Sequence, residues 1–408
     1  MKVYIVSLGC PKNLTDTEVL MGKLANSGYE ITTSPSEAKV IIVNTCAFLK
    51  TAREEAIKVI QEMTKWKKKG KCKKLYIAGC LPRWMVRNRE VSPPSQVSEL
   101  VDGEIDSIGL FNCCVPRIKA TPPWYAYVKI AEGCNNRCTY CLIPSIRGRL
   151  RQRKVPDIIK EVKGLAERGV KEIIYVAQDT TAHPNLANLL FKTTKIRGIR
   201  WIRLMYAHPA HLSDKVINVI ARERKIVKYL DLPIQHVCDK ILERMNRRYT
   251  RQDLENLILK IRRRKIALRT SVIVGSPGEG EAEFQELLKF LRKVKFEKLG
   301  VFTYQKEEGT PASKMRGQVS EKVKTERLRK LMRVQARISR ELNNKLIGKT
   351  LDIIIERAIH GGFLGRSYMD APDIDGSVSV KAKSTKPGEI IKAHITGGKT
   401  YDLIGCKT

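Results

Sequence analysis

Three cysteines lie close together in one short stretch of the sequence. Cys134, Cys138 and Cys141 follow the spacing Cys-x-x-x-Cys-x-x-Cys, within eight residues. Three thiolates in so short a loop suit an iron–sulfur cluster better than a structural zinc ion, which needs a fourth ligand nearby. A cubane cluster held by only three cysteines leaves one iron open for a substrate or a cofactor. A cysteine-rich zinc turn is the alternative, although no histidine follows at zinc-finger spacing.

A second set of three cysteines is dispersed in the sequence, but its members share one position relative to predicted strands. Cys10, Cys46 and Cys80 each lie one or two residues past an apolar segment. The carboxyl ends of parallel strands open onto one edge of a doubly wound sheet, so these thiols are predicted to converge. We interpret them as a second three-thiolate cluster site, with buried structural cysteines as the alternative. The other five cysteines are predicted to have no role: Cys72, Cys113, Cys114, Cys238 and Cys406.

Residues 1–115 are predicted to form an α/β domain that positions the dispersed cysteines. Three short apolar segments are predicted as strands: Lys2–Leu8, Val40–Asn44 and Leu75–Ala78. The helices between them are predicted to begin at two capping boxes, Thr15-x-x-Glu18 and Thr51-x-x-Glu54. Strands that alternate with helices require crossover connections, and therefore a parallel, doubly wound sheet.

Residues 124–344 repeat this alternation on a larger scale around the loop that contains Cys134. Six segments are predicted as strands: Ala126–Ile130, Glu172–Ala177, Trp201–Met205, Tyr229–Leu232, Thr270–Val274 and Leu299–Thr303. About six such units predict an open, partial (β/α) barrel whose functional face lies at the C-terminal ends of its strands. A proline-rich stretch near residues 115–123 is predicted to separate this barrel from the first domain.

The C-terminal part of the sequence changes from helical to β patterning. A basic amphipathic helix is predicted over Glu321–Leu346. In residues 345–408, short β runs separated by glycine, proline and aspartate predict a small β-barrel module. This module contributes only +3 to the net charge of the chain, because it has 10 basic and 7 acidic residues.

Composition excludes several classes of protein and indicates one kind of partner. Among the 408 residues, 42% are hydrophobic and 29% are charged, which argues against a disordered chain. No apolar run approaches the ~20 residues of a membrane span, and the N-terminus lacks a signal-peptide core, so a cytoplasmic protein is predicted. The net charge of +35 indicates a polyanionic partner, RNA or a ribonucleoprotein.

Longer motifs around the cysteines resemble one known family over essentially the whole chain. The segments SLGCPKNLTDTE, AEGCNNRCTYCLIPSIRG, VAQDTT, MYAHP, YLDLPIQH, MNRRYT, EEGTPA and GRSYMDAPDIDG are similar to the radical S-adenosylmethionine methylthiotransferases. Within that family the chain resembles the branch that modifies a ribosomal protein, because the tRNA-modifying branch usually has a CQMN-like stretch after the first cysteine. The sequence departs from the family pattern at His183-Pro184, Ser276 and Gln305-Lys306.

The resemblance implies an activity and its cofactors. It implies two [4Fe-4S] clusters, one on each set of three cysteines, together with S-adenosyl-L-methionine. The implied reaction adds a methylthio group to the β-carbon of an aspartate in protein S-twelve of the small ribosomal subunit. It also implies that the C-terminal β-barrel is of the TRAM type. A tRNA methylthiotransferase and a non-enzymatic iron–sulfur RNA-binding scaffold are the alternatives.

The resemblance also assigns roles to individual residues outside the clusters. It implies contacts with the cofactor from Tyr140, Gln178, Asp179 and Gly275; the alternatives are core packing for Tyr140 and ordinary turn positions for the other three. It implies a substrate-binding acidic loop on the β module, because acidic groups suit a basic ribosomal protein better than RNA phosphates: Asp370, Asp373 and Asp375. Packing roles rather than metal binding are predicted for the histidines of the matching motifs: His208, His211 and His236.

The implied partners follow from the activity and the charge. They are protein S-twelve or the assembled small subunit, and an electron donor; no membrane partner is expected. Two lysine- and arginine-rich runs, Lys65–Lys74 and Lys260–Lys265, are predicted to be either solvated faces or contacts with ribosomal RNA.

Overall fold

The computed structural model of the chain describes residues 1–87, 95–109 and 117–408. Part of the predicted boundary near residues 115–123 lies outside the described residues, as do Cys113 and Cys114. In the described part of the chain, the helices are all too short or too polar to cross a membrane.

A five-stranded parallel sheet forms the N-terminal domain. Its strands are β1 (Lys2–Ser7), β2 (Glu30–Thr32), β3 (Val40–Thr45), β4 (Lys74–Gly79) and β5 (Gly103–Ile105), in the order β2-β1-β3-β4-β5. Its helices are α1 (Pro11–Asn26), α2 (Lys50–Lys69), α3 (Cys80–Arg87) and α4 (Ser95–Leu100). The three predicted strands and the doubly wound parallel sheet are confirmed. The hydrophobic pattern of the sequence did not reveal β2 and β5, because a strand of three residues is too short to show the alternation of apolar and polar side chains.

The predicted starts of the first two helices are wrong. Helix α1 begins at Pro11, and α2 begins at Lys50. Proline at the first helical position needs no amide hydrogen and has a helical φ, so it fixes the start of α1. Thr15 lies inside α1, where its hydroxyl donates to the carbonyl of Pro11 at 2.6 Å. The Glu18 carboxylate accepts instead from backbone N–H groups near the next domain.

The central domain is a parallel sheet that curves without closing. It contains β6 (Tyr125–Lys129), β9 (Glu172–Val176), β10 (Trp201–Leu204), β11 (Ile226–Asp231), β12 (Ala267–Val274) and β13 (Lys298–Thr303), in that order across the sheet, and β7 (Ala131–Glu132) pairs with β8 (Arg151–Gln152) beside it. All six predicted strands and the partial barrel are therefore confirmed.

Helices cover the convex face of this sheet. They are α6 (Val155–Glu167), α7 (Leu186–Thr194), α8 (Asp214–Arg222), α9 (Asp239–Arg244), α10 (Arg251–Arg263), α11 (Glu281–Val294) and α12 (Glu321–Asn344), whereas the short α5 (Ile143–Arg147) packs against α3 of the N-terminal domain. The predicted long helix is confirmed as α12, which ends two residues earlier. Its buried stripe, including Leu331 and Ile338, faces the barrel, and the apolar residues between sheet and helices form the largest core of the molecule.

The C-terminal module is a closed five-stranded barrel, as predicted. Its strands are β14 (Thr350–Ile359), β15 (Gly362–Ser367), β16 (Val378–Lys381), β17 (Ile390–Gly398) and β18 (Leu403–Lys407). The barrel packs against the concave face of the central sheet, where Ile354 and Ala371 join an apolar cluster with Tyr125, Trp201 and Tyr229.

Buried ion pairs strengthen this contact between the module and the concave face. Arg366 of the module binds the Glu172 carboxylate at 2.7 Å, and Glu172 also accepts from Arg203 at 2.8 Å. Both contacts are buried, so separating the module would leave charges unpaired in the sheet, at a cost of several kcal/mol. The module therefore forms one wall of the central barrel.

Candidate active site

The topology of the N-terminal sheet brings the dispersed cysteines together. Cys10, Cys46 and Cys80 follow β1, β3 and β4, which are neighbours in the sheet and end at one edge. The approach of Cys46 to the chain beside Cys10 is so close that a Cβ at Gly9 would lie 2.7 Å from the Cβ of Cys46. Gly9 also has a φ of +89°, so both space and backbone conformation require glycine there.

Nearby cations act unequally on the three thiols of this set. Burial alone would raise the pKa of Cys10, but the charges of Lys12 and Arg147 and two backbone hydrogen bonds outweigh it, so that its pKa is lowered. Burial raises the pKa of Cys46 and raises that of Cys80 to about 11, although the Arg147 guanidinium opposes the rise at Cys80. These cations favour the thiolate form, which is the form that binds metal.

The loop that carries Cys134, Cys138 and Cys141 points backbone N–H groups at two of its three sulfurs. The N–H of Asn136 donates to Sγ of Cys134 at 3.5 Å, and the N–H of Ile143 donates to Sγ of Cys141 at 3.4 Å. Burial raises the pKa of Cys134, and it raises that of Cys141 to about 12. One buried thiol, Cys138, and two half-buried thiols that accept from backbone N–H groups form a fitting ligand set for an iron–sulfur cluster, whose sulfurs accept such hydrogen bonds.

One buried arginine lies against this loop. Arg247 donates from Nη1 to Sγ of Cys138 at 3.5 Å, and its other nitrogens donate to the hydroxyl of Tyr249 and the carbonyl of Pro233. Sequence reasoning did not single out Arg247, although it lies in the run MNRRYT, which was among the family-like motifs. The guanidinium is thus held in place by oxygen acceptors while it faces a sulfur.

A second buried arginine joins the central domain to the N-terminal cysteine site. Arg147 ends helix α5, which follows Cys141, yet its guanidinium reaches into the N-terminal domain. It binds Asp16 at 3.1 Å and Glu132 at 3.0 Å, and Lys129 pairs with the same two carboxylates. The sequence could not reveal this four-residue ion cluster, because Asp16 is more than 100 residues from its partners.

Of the predicted cofactor residues, Gln178 and Asp179 end strand β9 but face different groups. Gln178 donates from Nε2 to Glu132 at 3.0 Å, and its buried Oε1 lacks a partner among the described residues. Asp179 accepts instead from Asn136 in the cysteine loop and from His211. Burial would raise the pKa of Asp179, but these bonds and one from Thr181 lower it to about 2. Gln178 therefore keeps a free acceptor, whereas Asp179 anchors loops.

The two histidines beside Asp179 complete a polar cluster at the edge of a cavity. His208 stacks on His211 with ring centroids 4.9 Å apart, and one potential ligand atom from each of Asp179, His208 and His211 lies within 4.8 Å of the others. Burial lowers the pKa of His208 to about 3, so its ring is neutral. The cavity has a volume of about 400 Å³ and also borders Cys134.

Tyr140 and Gly275 lie on the same side of the barrel. Tyr140 packs against the cluster of Cys238, Ile241 and Met245, as does Ile273 of β12, and burial raises the pKa of Tyr140 well above the ordinary range. Gly275 has a φ of +75°, and a Cβ there would lie 2.2 Å from Cγ of Lys324 in α12. The close approach that requires glycine at position 275 is thus that of Lys324, which explains the residue without a cofactor.

Two of the three carboxylates in the predicted acidic substrate loop are held in ion pairs. Asp370 binds Lys298 at 2.5 Å, and Asp375 accepts from the hydroxyl of Tyr229 at 2.7 Å and pairs with Arg269. Both carboxylates are buried against the concave face, because the cationic side chains of β12 and β13 need counter-charges there. Only Asp373 of the three is exposed. The loop thus attaches the module to the barrel and presents a single free carboxylate.

The two basic runs are partly neutralised. Lys67 pairs with Asp102, Lys260 with Asp214, and Arg262 with Glu297. Arg263, Arg264 and Lys265 stay exposed.

Family models match all three parts of the chain. Residues 2–97 match the uncharacterized protein family UPF0004, residues 128–291 match the radical SAM superfamily, and residues 347–406 match the TRAM domain.

Full-length relatives are found as well. The chain is 42% identical to "Ribosomal protein uS12 methylthiotransferase RimO" of Heliobacterium modesticaldum, covering 99% of this chain and 95% of the relative. It is 44% identical to the protein of the same name from Pelobacter propionicus, covering 99% and 97%, and 43% identical to that of Geobacter sulfurreducens, covering 99% and 98%.

A solved structure shares the fold. The radical S-adenosylmethionine methyltransferase TsrM from Kitasatospora setae, solved with cobalamin and a [4Fe-4S] cluster bound, matches 95% of this chain and 84% of its own with a TM-score of 0.56. At 14% identity, this likeness concerns the fold alone.

Proposed function

The chain belongs to the family of the ribosomal protein uS12 methylthiotransferases RimO, and we propose that it methylthiolates the β-carbon of an aspartate in protein uS12. The observation that carries this proposal is the presence of two separate three-thiol sites, one at the strand ends of the N-terminal sheet and one in the loop after β7. A single cluster would suffice for radical formation, whereas transfer of an added sulfur needs a second place to hold it. The two sites therefore support two [4Fe-4S] clusters with different tasks.

The cysteines of the two sites fit two [4Fe-4S] clusters. Cys134, Cys138 and Cys141 would hold the cluster that binds S-adenosyl-L-methionine, and the dispersed cysteines would hold the second cluster. Such a cluster supplies one-electron cleavage of the sulfonium bond, giving a radical that can remove hydrogen from an unreactive carbon.

The side chains around the thiols prepare them for this role. Arg247 holds Cys138 by a hydrogen bond and stabilises negative charge on its sulfur. Glu132 orients Gln178, whose free Oε1 would accept a hydrogen bond from the cofactor amino group. Tyr140 would contact the cofactor from the β12 side, while Asp179 and Gly275 act by fixing the loops around it. The C-terminal module excludes water from the concave face.

The proposed organisation and partners follow from the same argument. We assign residues 1–115 to the second cluster, 124–344 to the radical barrel and 345–408 to the TRAM-like module. The substrate would be uS12, free or in the small subunit, in the cytoplasm, with an electron donor for the clusters. The exposed arginines near residue 264 are our candidates for contact with ribosomal RNA.

Two measurements test the proposal. Anaerobically reconstituted protein should bind about eight irons per chain, because each [4Fe-4S] cluster holds four. After reduction with dithionite it should form 5′-deoxyadenosine from S-adenosyl-L-methionine. Iron for one cluster only would contradict the two-cluster account, and absence of 5′-deoxyadenosine would favour the non-enzymatic scaffold.

The substrate is tested in a strain that lacks this protein. Mass spectrometry should show uS12 lighter by one methylthio group, and unchanged tRNA nucleosides. An unchanged mass of uS12 together with loss of a methylthio nucleoside would instead identify a tRNA methylthiotransferase.

A further inference from the structure

Strand β13 forms the free edge of the central sheet. It pairs with β12 on one side, and no strand pairs with its other side among residues 1–87, 95–109 and 117–408. The N–H of Tyr304, just past the strand, donates to the carbonyl of Val274 in β12 at 2.8 Å. Because successive residues of a strand point their N–H groups to alternate sides, those of Leu299, Val301 and Thr303 face the free edge.

The opposite edge of the same sheet is covered. Helix α1 of the N-terminal domain packs against β6, and Arg117 donates to the carbonyl of Tyr127 in that strand at 2.6 Å. A protein normally blocks or covers an edge strand, because unpaired N–H and C=O groups attract other chains. The fold therefore covers the β6 edge. Helix α12 packs against β13, but on the face that carries Leu299 and Val301, and no strand among the described residues pairs with the outer edge of β13.

An exposed aromatic ring accompanies the free edge. Phe302 is 53% exposed, and it lies on the same face of β13 as Lys298, whose ammonium group binds Asp370 at the concave face. Phe302 therefore faces the interior side of the barrel at its open flank. In the described structure it is one of few large apolar side chains with more than half of its surface in solvent. A ring in this position adds little to folding and is suited to contact a bound molecule.

The ends of β13 adjoin the other two domains. At its start, Lys298 contacts the module loop that presents the exposed residues Asp373 and Ile374. Beyond its end, the carboxylate of Glu307 accepts from the N–H of Lys50 in the N-terminal domain at 2.7 Å. The free edge thus runs from the module toward the domain that carries the dispersed cysteines.

We propose that β13 is the docking edge for an extended segment of the substrate protein, which adds to the central sheet as a seventh strand. This inference rests on the proposed function, which makes the substrate a protein. Unpaired backbone N–H and C=O groups recognise a polypeptide backbone and not a nucleic acid, and alternate side chains of the added strand would contact Phe302. The exposed carboxylate of Asp373 favours a segment with basic residues at that end.

A proline substitution tests the edge directly. Val301→Pro removes an N–H that faces the free edge, where proline is tolerated because no ladder hydrogen bond is lost. Val301→Ala is the matched control, since it shortens the same side chain and keeps the N–H. We expect Val301→Pro to weaken binding of purified uS12 about tenfold, as loss of one or two backbone hydrogen bonds would. Val301→Ala should bind within about threefold of the wild type.

A second measurement does not depend on a variant. Hydrogen exchange of the wild-type holoenzyme should show slower exchange at Leu299, Val301 and Thr303 when uS12 is added, and Phe302→Ala should reduce that protection. Unchanged exchange in β13, or equal binding by Val301→Pro and the wild type, would overturn the proposal. Protection by a ribosomal RNA fragment in place of uS12 would also overturn it.

The failure of this inference is distinguishable from failure of the proposed function. Formation of 5′-deoxyadenosine without substrate and the iron content report on the clusters alone, and both should be unchanged in Val301→Pro. If the wild type binds uS12 at β13 but never methylthiolates it, the proposed function fails and the docking edge stands.

Discussion

The two cysteine sites use opposite strategies to place three thiols. In the central site, one loop supplies all three cysteines within eight residues, and the N–H groups of the same loop point at the sulfurs. In the N-terminal site, three strand ends supply one cysteine each, from positions 34 and 36 residues apart. The first arrangement is encoded locally, whereas the second exists only when the sheet has formed in the correct order.

The arginines beside the two sites differ in the same way. Arg247 is held by neighbours within its own domain, Tyr249 and Pro233. Arg147 belongs to the central domain but binds Asp16 of the N-terminal domain. The N-terminal site therefore depends on the interface between domains, and disturbing that interface should affect it first.

The largest expected effect separates the tasks of the two sites. Cys138→Ala should abolish formation of 5′-deoxyadenosine, because the central site would lose one of three ligands to the cluster that binds the cofactor. Cys46→Ala should keep this activity and lose methylthio transfer to uS12. Each variant should lose about four irons of about eight. If Cys46→Ala also lost 5′-deoxyadenosine formation while keeping its central cluster, the division of tasks would be wrong.

A substitution at the shared arginine should weaken the interface. Arg147→Met leaves two buried carboxylates with Lys129 as their one remaining cation, so we expect a loss of about 3–5 kcal/mol in the free energy of unfolding. Denaturant unfolding of the apoprotein measures this loss, with Arg147→Lys as the control that retains the charge. In Arg147→Met, the iron content of the N-terminal site should fall more than that of the central site. Equal loss of iron at both sites would contradict the claim that the N-terminal site depends more on the domain interface.

A pair of glycine substitutions should show how tightly the N-terminal site is packed. A methyl group at Gly9 would lie 2.7 Å from the Cβ of Cys46, whereas at Gly28, with nearly the same φ, no described atom lies within 4 Å. Gly28→Ala should cost about 1–2 kcal/mol from backbone strain alone. Gly9→Ala should cost more and should also lose N-terminal iron, as measured by unfolding and metal analysis. Equal costs would mean that the cysteines have room to move apart.

The smallest effect concerns the loop contacts of the central site. The pKa of Asp179 is lowered to about 2, so its hydrogen bonds add stability that is present above the unfolded pKa near 4 and is lost as pH falls from about 4 to about 2. The contribution is about 2 kcal/mol. The apoprotein should therefore lose less stability between pH 6 and pH 3 with Asp179→Asn than without it. Identical pH profiles would show that Asp179 is not held as described.

Sequence reasoning succeeded where the signal was local or periodic. The six strands of the central barrel follow from short apolar segments, and the long helix α12 follows from its amphipathic helical pattern. The closed module follows from short β runs between turn residues. It failed at the capping boxes, since Thr15 and Thr51 match a motif that Pro11 and Lys50 pre-empt by starting the helices earlier. It did not foresee the ion pairs of Asp370 and Asp375, whose cationic partners lie more than 70 residues away.

The sequence by itself determined the central cysteine loop, the order of strands and helices, and the edge at which the dispersed cysteines meet. The loop follows from cysteine spacing and the elements follow from apolar periodicity, both of which are local. The shared edge follows from the rule that parallel strands end on the same side of a sheet. Only the tertiary structure decided which charges are neutralised. No sequence pattern reveals the partners of Arg147, Asp16, Asp370 and Asp375, yet each side chain is buried against an opposite charge from another domain. A charge is stable in the interior only beside its partner, and that partner is known only once the domains have packed.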